Sequence, residues 1–446
     1  MGVFMEHVAV LQSQAEKFLY RYKRYRYYYD FLERLYRYTI VPGLRVLHIG
    51  CADGFILRVI DPSYAVGIDD NSFQTLFSAK NGYLIEDFSL LDASVFDYVI
   101  VSASALKQAE DIQGFIRKIK TISDAHTRII FEYNIARMLP ILPADIRHFC
   151  FLEELEIITE KNELLVSLGI PYIADFFNYG LSRLPLIKKA CLMRLFITRF
   201  KQSNTQEFSV SVIIPCKNEA GTIQRAIQHM PAMGRFTEII LIDGHSKDGT
   251  VAMMQRVQTD YPEKNITWFV QSARGKKNAV EEGFLRARGD MVMILDGDIT
   301  VEPEELPKFY HALASGRGEC INGVRLVYPM DRQAMPLLNW FVNWSFGILI
   351  SYLIGQSVKD TLCGTKVFFK KDLGMLEESK RFFGNFDPFG DFDILCGAAY
   401  RHLKIVDIPV HYKKRSYGAP GVPFFKSGLL LLRMALVVGI KFFLRR

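Results

Sequence analysis

Cysteine is scarce in this chain of 446 residues, and its seven positions lie far apart. The sequence contains no Cys-x-x-Cys pair, the cysteine count is odd, and no histidine cluster accompanies the thiols. Because zinc sites need closely spaced ligands and disulfide frameworks need paired cysteines, the sequence argues against both. We expect free thiols in a reducing cytosol.

Long apolar runs, a secretion signal and a concentrated basic block are also missing. No stretch of about 20 residues is cleanly apolar, which argues against a polytopic membrane protein. The N-terminus lacks a basic segment followed by a long apolar core, so we do not expect a secretory signal. The net charge is +7, from 55 Lys and Arg against 48 Asp and Glu. Without a compact basic motif, this excess favours anionic lipid or phosphorylated substrates over nucleic acid.

Apolar, strand-like runs alternate with helical stretches in two separate parts of the chain. The first part contains VLHIG, AVGID, FDYVIV and TRIIFEY, and the second contains VSVIIP, EIILID, ITWFV and MVMILD. This rhythm predicts an α/β fold with two tandem Rossmann-like domains, each a sheet with helices on both faces. The predicted boundaries are a helical arm over 1–40, a first domain over 41–170, a linker over 171–207, a second domain over 208–415 and an amphipathic membrane-surface segment over 416–446.

The first domain opens with a glycine-rich turn. The strand RVLHIG runs into GCADG, and the next strand ends in VGIDD. Such a turn lets the backbone approach a cofactor closely, and an acidic strand end can accept hydrogen bonds from a ribose. On these motifs, residues 41–165 resemble class I S-adenosylmethionine-dependent methyltransferases.

This resemblance implies a bound S-adenosylmethionine, held by Gly50, Gly54, Asp69 and Asp87. Two positions depart from the family pattern, since His48 stands where an acidic residue is usual and Ala52 replaces the middle glycine. An active methyltransferase, a cofactor-binding domain and a purely structural domain all stay open at this point.

Carboxylates follow the strand-like runs of the second domain. EIILID ends in Asp243, MVMILD ends in Asp296 with Asp298 two residues later, and Glu219 lies just beyond VSVIIP. The carboxyl ends of parallel strands gather over one crevice, so these side chains are expected to meet. Paired carboxylates suit a hard cation such as Mg²⁺ or Mn²⁺, which in turn bridges a diphosphate.

The motifs of the second domain resemble family 2 glycosyltransferases of the GT-A fold, in particular dolichol-phosphate mannose synthase and bacterial polyprenyl-phosphate hexose synthases. The resemblance covers about residues 209–430 and rests on IPCKNE, DGHSKDGT, RGKKNA, DGD, GVR, DTLCGTKVF, FGDFDILCGA and IVDIPVHYKKRSYG. It implies nucleotide-sugar contacts from Pro215, Glu219, Asp243, Lys276, Asp296 and Arg325. It further implies a metal on Asp296 and Asp298, acceptor or phosphate contacts at Asp360 and Arg415, and catalytic roles for Asp298, Asp391 and Asp393.

Two acceptors fit the same donor chemistry. A polyprenyl phosphate is already an anion at neutral pH, because phosphomonoesters have a second pKa of about 6, so it needs no strong base. A saccharide hydroxyl, as in surface polysaccharide assembly, needs a general base, for which Asp391 and Asp393 are the candidates. Asp393 precedes an apolar helical run and is equally suited to capping that helix. The main prediction is a metal-dependent, inverting hexosyltransferase that uses a nucleotide diphosphate sugar and a lipid phosphate.

Two apolar segments predict contact with a membrane surface. Residues 336–356 mix Trp and Tyr with aliphatic residues and are interrupted by Asn339 and Asn343, whereas residues 424–446 carry Lys and Arg among Leu, Val and Phe. Such segments suit helices that lie in the bilayer interface, so we expect a monotopic protein on the cytoplasmic face. A buried core helix and a spanning helix are the alternatives, and Arg433 opposes spanning by the second segment.

Two rival classes of function are a methyltransferase whose second half only binds sugar and a non-catalytic membrane scaffold. The intact DGD motif, Asp243 and Arg325 favour an enzyme over both.

Overall fold

The computed structural model describes residues 20, 22–52, 54–69, 82–85, 91, 96–138, 141–164, 173–175, 177–178, 182, 187–202, 206–329, 335–384, 387, 389–417 and 424–441. Within these ranges the chain forms two compact units, one ending at Lys201 and the other beginning at Gln202.

The first unit is built on a seven-stranded sheet in the order β3-β2-β1-β4-β5-β7-β6. Its strands are β1 (Arg45–Ile49), β2 (Tyr64–Ile68), β3 (Gly82–Ile85), β4 (Tyr98–Val101), β5 (Arg128–Asn134), β6 (Leu155–Glu163) and β7 (Met193–Phe200). Its helices are Arg26–Thr39, Phe55–Val59, Ala103–Gln108, Ile112–Thr121, Ile135–Met138, Pro143–Leu152 and Ile173–Asp175, with a 3-10 helix at Lys188–Ala190.

Strands β1 to β5 are parallel, and strand β1 pairs with both β2 and β4. The strand order therefore reverses at β1, which opens a crevice at the carboxyl ends of β1 and β4. The helix Arg26–Thr39 packs one face of this sheet through Phe31, Leu35 and Tyr36, none of which is exposed. Part of the predicted N-terminal arm is thus built into the core of the first unit.

The predicted linker over 171–207 was wrong for its C-terminal part. Met193–Phe200 is a strand whose residues are all buried, and it pairs antiparallel with both β5 and β6. The run MRLFITRF resembles a basic connector, but Arg194 and Arg199 reach Glu160 and Glu156 on β6. These ion pairs allow a sequence with two arginines to occupy the inside of the sheet.

The second unit has another seven-stranded sheet, in the order β10-β9-β8-β11-β13-β12-β14. Its strands are β8 (Ser209–Cys216), β9 (Phe236–Asp243), β10 (Asn265–Val270), β11 (Met291–Ile294), β12 (Cys320–Val324), β13 (Lys366–Phe369) and β14 (Ile405–Pro409). Its helices are Ala220–Gln228, Thr250–Asp260, Lys276–Arg286, Leu306–Ala314, Leu337–Ile354, Gly374–Phe383, Asp391–Tyr400 and Phe424–Gly439, with 3-10 helices at Pro303–Glu305 and Lys370–Leu373.

The four strands β8 to β11 are parallel, and β13 runs antiparallel to β11 and β12. Both sheets are therefore mixed, and the predicted α/β class is confirmed. Strand β8 lies between β9 and β11, so the second sheet also reverses its order at its first strand. The carboxyl ends of β8, β9 and β11 consequently face one crevice, where the predicted carboxylates lie. All seven cysteines are free and buried.

The helix Leu337–Ile354 is apolar on the outside. Among the described residues it is the one helix long and apolar enough to cross a membrane, with a mean hydropathy of 1.5 and 28% of its residues buried. Its buried positions include Asn343 and Gly347, whereas Phe341, Trp344 and Ile348 are 56%, 44% and 54% exposed. Ile350, Leu353 and Ile354 are buried too, so the helix is apolar on its outer face as well as its inner face, unlike a surface helix whose apolar stripe faces only the core.

Candidate active site

The strand ends of β8, β9 and β11 are in direct contact at the crevice. The Gly244 N–H, just after β9, donates to the Cys216 carbonyl at the end of β8, 2.7 Å away. A Cβ on Gly297 would lie 2.8 Å from the Pro215 carbonyl oxygen, so only glycine fits between β8 and the turn after β11. Asp243 is 2% exposed, and its carboxylate accepts from the His245 N–H at 3.0 Å. Asp243 thereby shapes the turn that follows its own strand.

Asp296 forms an ion pair with Lys276, which begins the helix Lys276–Arg286, and the Nζ–Oδ1 distance is 2.7 Å. Burial raises the pKa of Asp296, but the charges of Lys276, Arg325 and Lys366 together outweigh burial and hold that pKa below its usual value. Gly364 lies directly against this carboxylate, since a Cβ there would come within 2.1 Å of Asp296 Oδ2. The glycine in DTLCGTK therefore leaves space for the Asp296 carboxylate.

Arg415 connects two carboxylates from different elements. Its guanidinium bonds Glu219 through one nitrogen and lies 3.3 Å from Asp298 Oδ2 through another. Burial raises the pKa of Glu219 to about 7, against the opposing effect of Arg415. The pKa of Asp298 is also raised, first by burial and then by the negative charge of Asp296.

Asp391 lies between two lysines, one of which also pairs with Asp296. Its carboxylate is 3.5 Å from Lys276 Nζ and 3.8 Å from Lys366 Nζ, and its side chain is 8% exposed. Burial raises its pKa, although both ammonium groups act in the other direction. The sequence analysis missed Lys366, whose fully buried position in β13 could not be distinguished from that of an ordinary strand lysine.

Asp393 has a different environment from Asp391. Its carboxylate is 1% exposed and 2.5 Å from the Nζ of Lys277, a lysine the sequence analysis also missed. Burial raises the pKa of Asp393 to about 6. The proposed capping role of Asp393 was wrong: it lies inside the helix, and its N–H donates to Asp387, which also accepts from Phe392. Asp387 is therefore the residue that satisfies the free N–H groups of this helix.

Arg325 and Asp360 form a closed, two-point ion pair. The Arg325 Nε and Nη2 donate to the two oxygens of Asp360 at 2.7 and 2.9 Å, and the Arg325 backbone N–H adds a third bond at 3.1 Å. Asp360 is fully buried, and its pKa is held at about 2, because the charge of Arg325 and the hydrogen bonds from Arg325 and Asn343 together outweigh burial. Asp360 thus positions Arg325 and has no surface to offer an acceptor.

The glycine turn of the first unit is formed, but its chemistry departs from the predicted cofactor site. Gly50 and Gly54 are left-handed, with φ of 74° and 68°, and Asp69 accepts from the Ala52 N–H at 2.6 Å. His48 is 2% exposed, neither ring nitrogen has a partner among the described residues, and burial lowers its pKa to about 3. A neutral imidazole here cannot replace the carboxylate that usually binds the amino group of the cofactor. Asp87 lies outside the described residues.

Comparison with known proteins identifies the class of the second unit. Residues 211–374 match the family Glycosyl transferase family 2. Residues 211–374 of the second unit are therefore similar to family 2 glycosyltransferases, as the motifs of the sequence predicted.

The chain is similar to undecaprenyl-phosphate 4-deoxy-4-formamido-L-arabinose transferases. It is 29% identical to that of Pectobacterium carotovorum over 224 residues, which is 49% of this chain and 64% of the relative. It is 26% identical to that of Shewanella sediminis over 217 residues, 47% of this chain and 60% of the relative. The chain thus spans about three fifths of the length of these relatives.

Among solved structures, glucosyl-3-phosphoglycerate synthase of Mycobacterium tuberculosis in complex with Mn²⁺ and UDP aligns with a TM-score of 0.38 and 19% identity, covering 53% of this chain and 80% of that one. A mannosyltransferase from Pyrobaculum calidifontis in complex with GDP-mannose and Mn²⁺ aligns with a TM-score of 0.37 and 17% identity, covering 53% and 64%. Similarity at this level has no bearing on the substrates of this chain.

Proposed function

We propose that this protein transfers a hexose from a nucleotide diphosphate to a polyprenyl phosphate at the surface of a membrane, with the help of a divalent cation. The observation that carries this proposal is the charge arrangement at the end of β11. There Asp296 and Asp298 come from one turn, and each pairs with a cation, Lys276 or Arg415, from a different element.

The two carboxylates fit a divalent cation. Asp296 and Asp298 are two residues apart in one turn, so a single cation could contact both carboxylates. Among the described residues there is no cluster of three or more His, Cys, Asp or Glu side chains of the kind that holds a metal. Two carboxylates completed by substrate phosphates are the usual protein environment of Mg²⁺, and a cation bound there supplies Lewis-acid chemistry to the diphosphate.

Cationic side chains surround the same turn and suit a leaving diphosphate. Lys276 pairs with Asp296, and Arg415 pairs with Asp298. If a cation neutralised the two carboxylates, both basic side chains would be released to bind phosphate oxygens. Arg325 is held in place by Asp360 and lies over the ring of Tyr412, which bridges to Val301 just after this turn. Such preorganised cations stabilise the negative charge that develops on the leaving group.

The environments of Asp391 and Asp393 favour a phosphate acceptor over a hydroxyl. Asp393 is locked to Lys277, and Asp391 lies within reach of Lys276 and Lys366. Both side chains are almost inaccessible, with exposures of 8% and 2%, which limits their contact with an acceptor hydroxyl, whereas a phosphate acceptor is already ionised and needs no base. A saccharide hydroxyl is the alternative acceptor, with Asp391 as its base, because Asp391 is the one of the two that adjoins Asp296 through Lys276.

The outward apolar face of Leu337–Ile354 supports a lipid acceptor. The helix Phe424–Gly439 lies beside it, with Gly439 next to Leu353, and exposes Leu432, Leu436 and Ile440 together with Arg433. Exposed apolar side chains next to a cation suit the boundary between acyl chains and anionic head groups. The curated relatives are named as undecaprenyl-phosphate transferases, which agrees with a polyprenyl phosphate partner. The cytoplasmic face rests on the sequence analysis alone. The inverting outcome rests on the family resemblance alone.

The test is transfer of hexose by the full chain. Purified protein is mixed with UDP- or GDP-hexoses, Mg²⁺ or Mn²⁺, and vesicles with or without polyprenyl phosphate. Asp298→Ala should lower transfer by at least about 100-fold, as expected when a group that stabilises the transition-state charge is lost. Asp260→Ala is the matched control, because Asp260 is exposed and pairs with Arg256 on its own helix.

Each part of the proposal has its own negative result. Transfer that does not require polyprenyl phosphate in the vesicles would point to a hydroxyl acceptor. Unchanged transfer by Asp298→Ala would remove the cation from the mechanism.

A second candidate activity, methyl transfer by the first unit, is favoured by one observation. The glycine turn lies at the reversal point of a sheet whose first five strands run in the order β3-β2-β1-β4-β5, where nucleotide cofactors bind. The neutral His48 opposes it. Titration of the full chain with S-adenosylmethionine in a calorimeter tests the point, and absence of heat at millimolar ligand would withdraw this candidate.

A further inference from the structure

Besides buried apolar side chains, three small or polar residues spaced four apart join the apolar helix Leu337–Ile354 to the rest of the second unit. Asn343, Gly347 and Ser351 lie on one face, because residues four apart align along a helix. Ser351 Oγ donates to the Val358 carbonyl at 2.9 Å and accepts from the Val358 N–H at 2.8 Å. A Cβ on Gly347 would lie 2.4 Å from the Lys359 carbonyl oxygen, so helix and loop touch backbone to backbone.

The third of these residues, Asn343, contacts a side chain of the candidate site. It is 3% exposed, and its Nδ2 donates to Asp360 Oδ1 at 2.9 Å. The same oxygen accepts from Arg325 Nη2 at 2.9 Å and from the Leu362 N–H at 3.1 Å. The Asn343 amide therefore helps to orient the Asp360 carboxylate, which forms the ion pair with Arg325.

Arg325 in turn lies beside the turn that carries the predicted metal ligands. Its guanidinium lies over the ring of Tyr412 at 5.1 Å, and Tyr412 forms a backbone bridge with Val301, three residues after Asp298. Arg325 also lowers the pKa of Asp296 through its charge. A continuous set of contacts thus runs from the apolar helix through Asn343 and Asp360 to Arg325.

We propose that Asn343 is a positioning residue for the transfer reaction, which acts through Asp360 to hold Arg325 against the substrate diphosphate. This inference rests on the proposed function. A mostly apolar helix has little reason to bury an amide, because an amide without partners is costly inside a protein. Here the amide links the surface that meets the lipid to the side chain that meets the donor.

The first experiment compares Asn343→Ala with Asn339→Ala in the vesicle transfer assay. Asn339 lies one turn earlier on the same helix, and its side chain makes no hydrogen bond within the described part of the chain, so it is the matched control. Loss of one hydrogen bond to a charged group predicts a fall in kcat of about tenfold or more for Asn343→Ala. KM for the nucleotide sugar should stay nearly constant, since Arg325 acts on charge that develops in the transition state. Asn339→Ala should match the wild type, and equal rates in both variants would overturn the proposal.

Asn343→Asp adds a readout that loss of packing alone would not move. The introduced carboxyl would lie beside Asp360 in a buried place, where burial and a neighbouring charge favour its protonated form. When protonated it can donate the same hydrogen bond as the amide, and when ionised it repels Asp360. Asp360 is the charged partner of Asn343, and Arg325, Cys363, Tyr412 and Asp407 are the charged and titratable groups that interact with Asp360 or Arg325. These groups are the same in wild type and variant.

Asn343→Asp should therefore transfer sugar at close to the wild-type rate at about pH 6 and fall about tenfold or more below wild type by about pH 8.5. If the pH–rate profile of Asn343→Asp runs parallel to that of the wild type, the proposal is overturned. This test holds even if Asn343→Ala fails to fold. Failure of the proposed function is distinguishable, because it appears as a wild-type protein without transfer to polyprenyl phosphate. If the wild type instead transfers sugar to a hydroxyl acceptor, the rates of Asn343→Ala and Asn339→Ala relative to wild type, and the pH profile of Asn343→Asp, test the role of Asn343 in the same way.

Discussion

Breaking the buried pair of Lys277 and Asp393 decides whether Asp393 is a structural or a catalytic group. Lys277→Met removes the ammonium while keeping most of the side-chain volume. The carboxyl of Asp393 is then left 1% exposed without the Lys277 ammonium. We expect a moderate loss of stability, and we expect the double variant Lys277→Met/Asp393→Asn to recover most of it, because replacing a buried pair by neutral groups is often harmless.

The size of the loss follows from the pKa of Asp393. A rise from 3.8 to about 6 already costs the folded protein about 3 kcal/mol at pH 7, since one pKa unit is about 1.4 kcal/mol. Complete protonation of this carboxyl at pH 7 would cost about 4 kcal/mol on the same scale. Removing Lys277 therefore adds about 1 kcal/mol of ionisation energy, and the lost hydrogen bond adds about 1 more. The total of about 2 kcal/mol is smaller than the usual 3–5 kcal/mol for a broken buried pair, because the carboxyl can take up a proton instead.

The effect has a defined dependence on pH. The folded pKa of Asp393 lies above its unfolded value, so the folded state binds more protons and stability falls as pH rises from about 3.8 to 6. In Lys277→Met this fall should continue above pH 6. The gap between variant and wild type should therefore widen by about 1.4 kcal/mol per pH unit above pH 6 and shrink below it.

Urea unfolding followed by tryptophan fluorescence measures this gap. All three tryptophans, Trp268, Trp340 and Trp344, lie in the second unit, so the signal reports on that unit alone. A gap independent of pH would refute the assignment of the loss to Asp393. Transfer activity is the second measurement: the double variant should keep it, and a fall of about 1000-fold or more would instead make Asp393 the catalytic base.

Three further outcomes are expected. The raised pKa of Glu219 makes the folded state bind more protons than the unfolded state, so wild-type stability should fall by up to about 3 kcal/mol between pH 4.5 and 7. Glu219→Gln should remove this fall. Urea unfolding at both pH values measures the free energy of unfolding, and the same fall in the variant would contradict the prediction. Gly364→Ala should weaken Mn²⁺ binding by about tenfold or more, since its Cβ displaces the Asp296 carboxylate, whereas Gly374→Ala, with no atom closer than 3.5 Å to its Cβ, should bind like wild type in the same titration. Phe341→Ser with Trp344→Ser should abolish flotation with anionic vesicles while leaving nucleotide binding intact, and retained flotation would move the membrane contact elsewhere.

The residue types of the site were visible in the sequence because they follow a simple rule. Carboxylates that end apolar runs must share one edge of a parallel sheet, so Asp243, Asp296 and Asp298 could be assigned to a crevice from the sequence. The basic residues assigned through the family resemblance, Lys276 and Arg415, do pair with these carboxylates or their neighbours.

The partners across the sheet were not predictable. Lys366 and Lys277 meet Asp391 and Asp393 over more than 20 and 100 intervening residues, and local patterns carry no information on such pairings. The strand Met193–Phe200 was missed for the same reason, because its arginines look exposed until Glu156 and Glu160 are placed opposite them on β6.

The sequence by itself determined the α/β class, the two tandem units and the chemistry at the strand ends, because strand periodicity and residue type are local properties. Only the tertiary structure decided which partner each carboxylate has. Asp360 was expected to contact the acceptor and instead pairs with Arg325. Asp393 pairs with Lys277 from inside its helix, and its part in catalysis stays a prediction. The role of a charged side chain depends on its burial and on the charges that folding brings beside it, and neither is set by its neighbours along the chain.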